Sequence, residues 1–479
     1  MGGGTSDGEM IQITGQFFAV IDATGRGFML PNAVILDSVG NFLEQGVDGG
    51  SFQLAPNGTF STVLLSGTAF MGDFGEFPGS GTGTWSFSDP GESVSGEWAM
   101  GRSGPLPTPR PSIPPPAPLA SAVLPDVDQS GNAEALVFGS QAGVGQAIVN
   151  DSQSNNSLSI VDFSDSLTPI DAAVTSDTNN NGYPDLAALL LDESDDEPKI
   201  EIRDPDTGSL LKNINYNKGH NPIAVALLSD QNSNQSHEGA VLANQISQNN
   251  RPRVLIRDLQ SKAKIINISL PKIFTALDIV GADDFSGNGA AEVLVLATRN
   301  SDGKGFVLIW DTGGAGKVVN VQLPKQHTPI SHDYLTGPGN APAVTTLSLR
   351  TSDNKGRLLL HNAFTATKLW GATLNAGRTP VKVAGFQAAS GAIRVAVLQL
   401  RESDQRPIVS VFNGNTGAVV ENVFYDAGQE PVDLVIFPDL SSDPNLQPEL
   451  GVLIEGESEL AFKLRDSTTG DLVSTVSVP

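Results

Sequence analysis

Four segments of this 479-residue chain place oxygen donors at alternating positions of a nine-residue stretch. They read Asp126-Val-Asp128-Gln-Ser130-Gly131-Asn132-Ala-Glu134, Asp177-Thr-Asn179-Asn-Asn181-Gly182-Tyr183-Pro-Asp185, Asp230-Gln-Asn232-Ser-Asn234-Gln235-Ser236-His-Glu238 and Asp284-Phe-Ser286-Gly-Asn288-Gly289-Ala290-Ala-Glu292. Positions one, three and five are Asp, Asn or Ser, position six is glycine in three of the four, and position nine is a carboxylate. Hard divalent cations, calcium above all, take six to eight such oxygens at about 2.3–2.6 Å. A loop that wraps an ion turns alternate side chains inward, and Gly131, Gly182 and Gly289 allow the positive φ such a wrap needs. The competing reading is a plain Asx turn, which favours the same residues. Recurrence in phase favours the metal: the segments start 51, 53 and 54 residues apart, and each precedes an apolar run (135–138, 186–191, 240–243 and 293–297).

The elements that must position these loops repeat with the same period. A turn register recurs at Asp151, Asp204, Asp258, Asp311, Asn362, Asn413 and Asp466, in steps of 53, 54, 53, 51, 51 and 53. A Ser-Asp pair recurs at Ser194-Asp195, Ser301-Asp302, Ser352-Asp353 and Ser403-Asp404. A proline opens each unit at Pro118, Pro169, Pro222, Pro329, Pro380 and Pro431, with Ala276 in the remaining one. A period near 52 with short apolar runs and turns between them describes a propeller blade of four strands. In the second unit these are 170–175, 186–191, 199–203 and 210–216, so the ninth loop position opens the second strand. Seven units can close a ring that leaves few open sheet edges, with a solenoid of stacked sheets as the alternative. Both ends of the repeat region read as whole blades, so a strand exchange latching the ring stays open.

The acidic turns resemble the calcium loop of FG-GAP, integrin-α-like propeller repeats, Asp-x-(Asp/Asn)-x-(Asn/Ser)-Gly-x-x-(Asp/Glu), and the resemblance covers about residues 118–479. It implies Asp126, Asp128, Ser130, Asn132 and Glu134 as ligands in blade one, and Asp177, Asn179, Asn181, Tyr183 and Asp185 in blade two. The equivalents are Asp230, Asn232, Asn234, Ser236 and Glu238 in blade three, and Asp284, Ser286, Asn288, Ala290 and Glu292 in blade four. Asn132, Tyr183 and Ala290 would act through backbone carbonyls. Blade three departs from the pattern at Gln235, and blades five (Tyr334 to Pro342) and six (Phe386 to Arg394) lack the acids. Blade seven keeps Asp439, Ser441, Asp443 and Glu449 with two extra residues. The expectation is Ca2+ at about three to five sites.

Strand direction alternates within a blade, so the Ser-Asp loops fall on the face opposite the acidic turns. Arg299, Arg350 and Arg401 each stand two residues before such a pair. With Asp302, Asp353 and Asp404 they mark a candidate ligand face for a polar partner, unless Ser-Asp is simple turn chemistry. No His-Glu-x-x-His, Gly-x-Ser-x-Gly or phosphate-cradling loop occurs. His220 and His327 fall before the first strand of their units, where a His/Asp site is conceivable.

Composition bounds the rest. A formal net charge of −25 argues against nucleic acid or an anionic membrane surface as partner, and zero cysteines exclude thiol chemistry and thiolate-bound metals. No apolar run is long enough to span a membrane. Eight prolines between Ser103 and Pro118 form a stiff spacer, which divides the chain into 1–102, the linker 103–118 and the propeller 119–479. Residues 1–102 alternate like a small β-sandwich or barrel and hold ten of the 21 phenylalanines. Their start, Met1-Gly2-Gly3-Gly4-Thr5-Ser6, resembles a mature bacterial lipoprotein whose lipidated Cys is replaced. The expected fold is all-β, a seven-bladed propeller behind a small β domain. The expected role is a calcium-stabilised bacterial surface or extracellular module that binds a protein or glycan, with no catalytic motif. The alternatives are a polysaccharide lyase or hydrolase and a structural subunit of an extracellular assembly.

Overall fold

In the computed structural model, side chains are described for residues 117–478 apart from 129, 155, 315, 441–446 and 457–459, and residues 1–101 only where strands pair. The chain divides into two compact units, Met1–Ser112 and Ile113–Pro479. In the first, backbone pairing joins nine strands, from Gly2–Ser6 to Glu92–Gly101, into one antiparallel sheet whose first strand pairs with its last. The sandwich-or-barrel reading and the role of the aromatic residues there lie outside the described side chains, as do residues 103–116 of the linker.

The second unit is seven separate four-stranded antiparallel sheets, each made of four consecutive strands, here named A to D. Blade one runs Ala117–Leu124, Glu134–Gln141, Val144–Asp151 and Ser157–Asp162, so strand A opens two residues before the expected boundary of 119. Blade two runs Thr168–Thr175, Asp185–Asp192, Glu197–Arg203 and Leu210–Asn215, and blade seven ends the chain with Leu472–Val478. Among the described residues the only helical pieces are the single turns Ile246–Gln248 and Pro338–Asn340, and no helix is long and apolar enough to cross a membrane.

Burial explains the sequence pattern of each strand. Strand B is apolar without alternation because a neighbouring blade covers each of its faces, and in blades one to four its first six residues are all buried. Strand D, at the rim, keeps a half-exposed pattern. The recurring proline lies inside strand A, where the register slips by one residue (Pro169/Asp171, Pro222/Ala224, Pro380/Lys382), and the same slip occurs at Ala276/Asp278. A bulge leaves one residue unpaired, so a residue without an N–H is tolerated beside it.

One apolar cluster fills each of the seven seams between blades. The closing seam packs Ala135, Val137 and Ile148 of blade one against Phe437, Leu453 and Phe462 of blade seven. Strand A of each blade touches strand A of the next, and that of blade seven touches that of blade one. A polar belt on the inner strands reinforces this ring. The Val225 N–H donates to Asp171 Oδ2 at 2.9 Å, the Gly385 N–H to Asp333 Oδ2 at 2.7 Å, and the Ser121 hydroxyl to Asp433 Oδ2 at 2.7 Å across the closing seam. Among the described residues no strand passes from one blade to another, and the ring is closed by apolar packing and side-chain hydrogen bonds, the Asn150 amide donating to the Ser477 carbonyl at 3.4 Å among them.

Candidate metal centre

The four acidic turns share one backbone wrap. The position-one aspartate accepts the N–H of position six, at 2.8 Å in blades one and two, 2.6 Å in blade three and 2.7 Å in blade four. Position six has a left-handed φ of 94°, 98°, 67° and 86° in turn. The third value belongs to Gln235, so blade three keeps the wrap although it lacks the glycine.

Position nine fixes the far end. Glu134, Asp185, Glu238 and Glu292 each open strand B and are 0% exposed. Each accepts the N–H of position two: Val127 at 2.8 Å, Thr178 at 2.6 Å, Gln231 at 3.0 Å and Phe285 at 3.0 Å. Burial pushes the Glu134 and Glu238 carboxyls up to about 7, against the pull of those N–H donors, and raises Asp185 and Glu292 as well.

In blade one three carboxylates converge: Asp126, Asp128 and Glu134 each bring an oxygen within 4.8 Å of the others. Asp126 Oδ1 and Glu134 Oε2 are buried there without a hydrogen-bond partner, as is Asp185 Oδ1 in blade two. A buried carboxylate oxygen with no donor is costly, and clustered negative charge adds to the cost. A hard cation among these oxygens relieves both, and the all-oxygen donor set fits calcium.

The loops of blades two, three and four hold only two carboxylates each, at positions one and nine. Their Asn oxygens at position five accept the N–H two residues on, at 3.0 Å for Asn181 and Tyr183, 2.9 Å for Asn234 and Ser236, and 2.9 Å for Asn288 and Ala290. Their amide nitrogens donate instead to the aspartates that open the turns between strands C and D. Asn179 and Asn181 reach Asp204 Oδ2 at 2.7 and 2.6 Å, Asn232 and Asn234 reach Asp258 Oδ2 at 2.7 and 2.6 Å, and Asn288 reaches Asp311 Oδ2 at 2.7 Å. In blade one the Ser130 hydroxyl donates to Asp151 Oδ2 at 2.9 Å.

In blade five Tyr334 is not a turn residue but lies within strand A (His327–Thr336), opposite Val344, where it stacks on Phe285 of blade four with centroids 6.1 Å apart, and the A–B turn is shortened to 337–341. Phe386 of blade six packs on the seam with blade seven. In blade seven the Leu440 N–H donates to Glu449 Oε2 at 2.9 Å, and residues 441–446 lie outside the described ones.

On the opposite face the three arginines grip their own aspartates. Arg299 Nε donates to Asp302 at 2.9 Å and Nη2 at 2.6 Å, Arg350 Nε to Asp353 at 2.7 Å, and Arg401 Nε to Asp404 at 2.7 Å and Nη2 at 2.5 Å. The guanidinium holds each of these carboxyls below the usual range. Arg299 and Arg401 also lie over the rings of Phe306 and Phe424, at 5.3 and 5.9 Å. Each arginine thus locks its own hairpin by a bidentate pair, and a second cation, Lys304, Lys355 or Arg406, lies 3.6, 4.0 or 3.6 Å from the same carboxylate. His220 and His327 are the buried first residues of strand A in their blades, not loop residues. His220 Nδ1 lies 3.0 Å from the Asn217 carbonyl, and His327 Nδ1 lies 3.2 Å from Ser348 Oγ.

No family model matches the chain, and no curated protein matches it. Among solved structures it is similar to the Dos1 propeller, at 12% identity and TM-score 0.48, over 77% of this chain and 86% of that one. It is also similar to BBS1N, solved in complex with ARL6DN, at 12% and 0.48 over 77% and 93%. A third is the β-propeller domain of the Trilobed protease from Pyrococcus furiosus, at 10% and 0.40 over 72% and 95%. The blade count rests on the strand pairing of this chain itself.

Proposed function

We propose that the propeller is a calcium-stabilised binding module in which the acidic turns of blades one to four hold the ions. The observation that carries this is the convergence of Asp126, Asp128 and Glu134 around buried carboxylate oxygens that no donor satisfies. The shared wrap of all four loops and their resemblance to the FG-GAP pattern extend it to Asp177, Asp230 and Asp284 and their partners. Loops of this kind suit millimolar calcium, hence an extracellular or cell-surface setting with a protein or glycan as partner. An ion at 100 times its dissociation constant adds about 2.7 kcal/mol per site to the folded state. The test is thermal melting of the full chain in excess chelator and again after calcium is restored. The melting temperature should fall and then recover, with magnesium a poor substitute. Identical melts with and without calcium would sink the metal reading.

A further inference from the structure

The turn between strands C and D opens with Asp in blades one to four, at Asp151, Asp204, Asp258 and Asp311, and again in blade seven at Asp466. In blades five and six the same position is Asn, at Asn362 and Asn413. Those are also the two blades whose A–B turn has no acidic pattern. The turn itself needs only one acceptor. Asn362 Oδ1 takes the Phe364 and Thr365 N–H groups at 3.0 and 2.7 Å, and Asn413 Oδ1 takes those of Asn415 and Thr416 at 2.9 and 3.2 Å. Asp204 Oδ1 does the same job for Asp206 and Thr207, at 3.0 and 2.7 Å. The second carboxylate oxygen is therefore surplus to the turn, and it appears where an acidic loop stands beside it.

That oxygen collects the donor ends of the loop side chains, the Asn179 and Asn181 amides, the Asn232 and Asn234 amides, the Asn288 amide and the Ser130 hydroxyl. An amide whose NH2 is held by a carboxylate must turn its carbonyl oxygen the other way. A hydroxyl whose proton is given to a carboxylate must turn its lone pairs the other way. The oxygens so turned lie against the loop backbone: Asn181, Asn234 and Asn288 accept the N–H of position seven, and Ser130 Oγ that of Asn132 at 3.3 Å.

We propose that Asp151, Asp204, Asp258 and Asp311 are positioning residues of the cation loops, orienting through their second carboxylate oxygen the oxygens of positions three and five in blades two and three, and of position five in blades one and four, toward the ion, and so tying the C–D turn to ion binding. This rests on the calcium reading above. The two blades with Asn serve as internal controls: where there is no ion to serve, the second oxygen is absent. Outer-sphere partners of this kind are worth about 10–100-fold in metal affinity.

The test is Asp204→Asn, which keeps the Oδ1 turn as Asn413 does, together with the fourfold Asp151→Asn, Asp204→Asn, Asp258→Asn, Asp311→Asn variant of the full chain. Calorimetric calcium titration should show one site weakened by about tenfold or more in the single variant, and all four in the fourfold variant. The melting temperature in chelator should change little for Asp204→Asn, whereas the increment that calcium adds should shrink. A merely structural role would lower both melts equally. If the wild type takes up calcium and Asp204→Asn titrates and melts like it, or loses stability equally with and without calcium, the positioning role is wrong and the ion reading survives. If the wild type takes up no calcium, both fall together. Should the fourfold variant not fold, the single variant decides.

Discussion

At the residue scale, position six of the loop separates conformational need from side-chain identity. Gln235 holds a φ of 67° with its side chain exposed, where the other three loops have glycine. A left-handed non-glycine residue costs about 1–2 kcal/mol, and glycine gives back about 0.4–1 kcal/mol through the freedom of the unfolded chain. The balance favours glycine, so Gln235→Gly should stabilise the protein by about 0.5–1 kcal/mol in urea unfolding, and Gly131→Ala should destabilise it by a similar amount. A destabilised Gln235→Gly would mean that the glutamine side chain makes a contact of its own.

At the scale of the loop and its strand, the buried ninth position sets a pH dependence. Glu134 and Glu238 carry folded values of about 7 against an ordinary 4.5, and on the inner strands burial raises Asp171 to about 7 as well. A carboxyl that binds its proton more tightly when folded contributes stability fully below its unfolded value and loses it as pH rises through the folded one. In chelator these carboxyls should therefore lower the melt at pH 7.5 relative to pH 5, while burial lowers His237, His327 and His361, the last to about 4, and acts the other way across the same window. The depressed carboxyls, Asp302 among them, act oppositely but only below about pH 4, where the unfolded chain takes up protons. Calcium requires the ionised form, so its affinity should rise across the same window, with protons released on binding. Calorimetry in buffers of different ionisation enthalpy reads that release, and a Glu134→Gln variant whose melt in chelator depends on pH between 5 and 7.5 just as the wild type's does would contradict the account.

At the scale of the whole ring, closure depends on one seam formed by residues far apart in the chain. Phe437 and Phe462 meet edge to face at 6.0 Å, both 0% exposed, against blade one. Phe437→Ala should cost about 3–5 kcal/mol, read as a drop in the urea midpoint. Because no strand is exchanged among the described residues, the loss falls on the packing of this seam rather than on a backbone latch. A change under about 1 kcal/mol would show that the ring tolerates an open seam.

Blade number, strand order and the four acidic loops were legible in the sequence because each depends on local chemistry repeated in phase: a glycine or asparagine that turns, an apolar run that pairs, a proline beside a bulge. Position nine could be placed at the mouth of strand B for the same reason. What a side chain meets across the blade could not be read locally. Arg299, Arg350 and Arg401 could be placed on the face opposite the acidic turns, but that each pairs with the aspartate of its own hairpin depends on the folded turn. Asp204 looked like a turn residue until its second oxygen was found on Asn179 and Asn181. The manner of closure was likewise decided only in three dimensions, because intact first and last units suit an exchanged or an unexchanged strand equally. Repetition encodes the blade, whereas the pairing of charges and the joining of the ends depend on distances that sequence spacing does not carry.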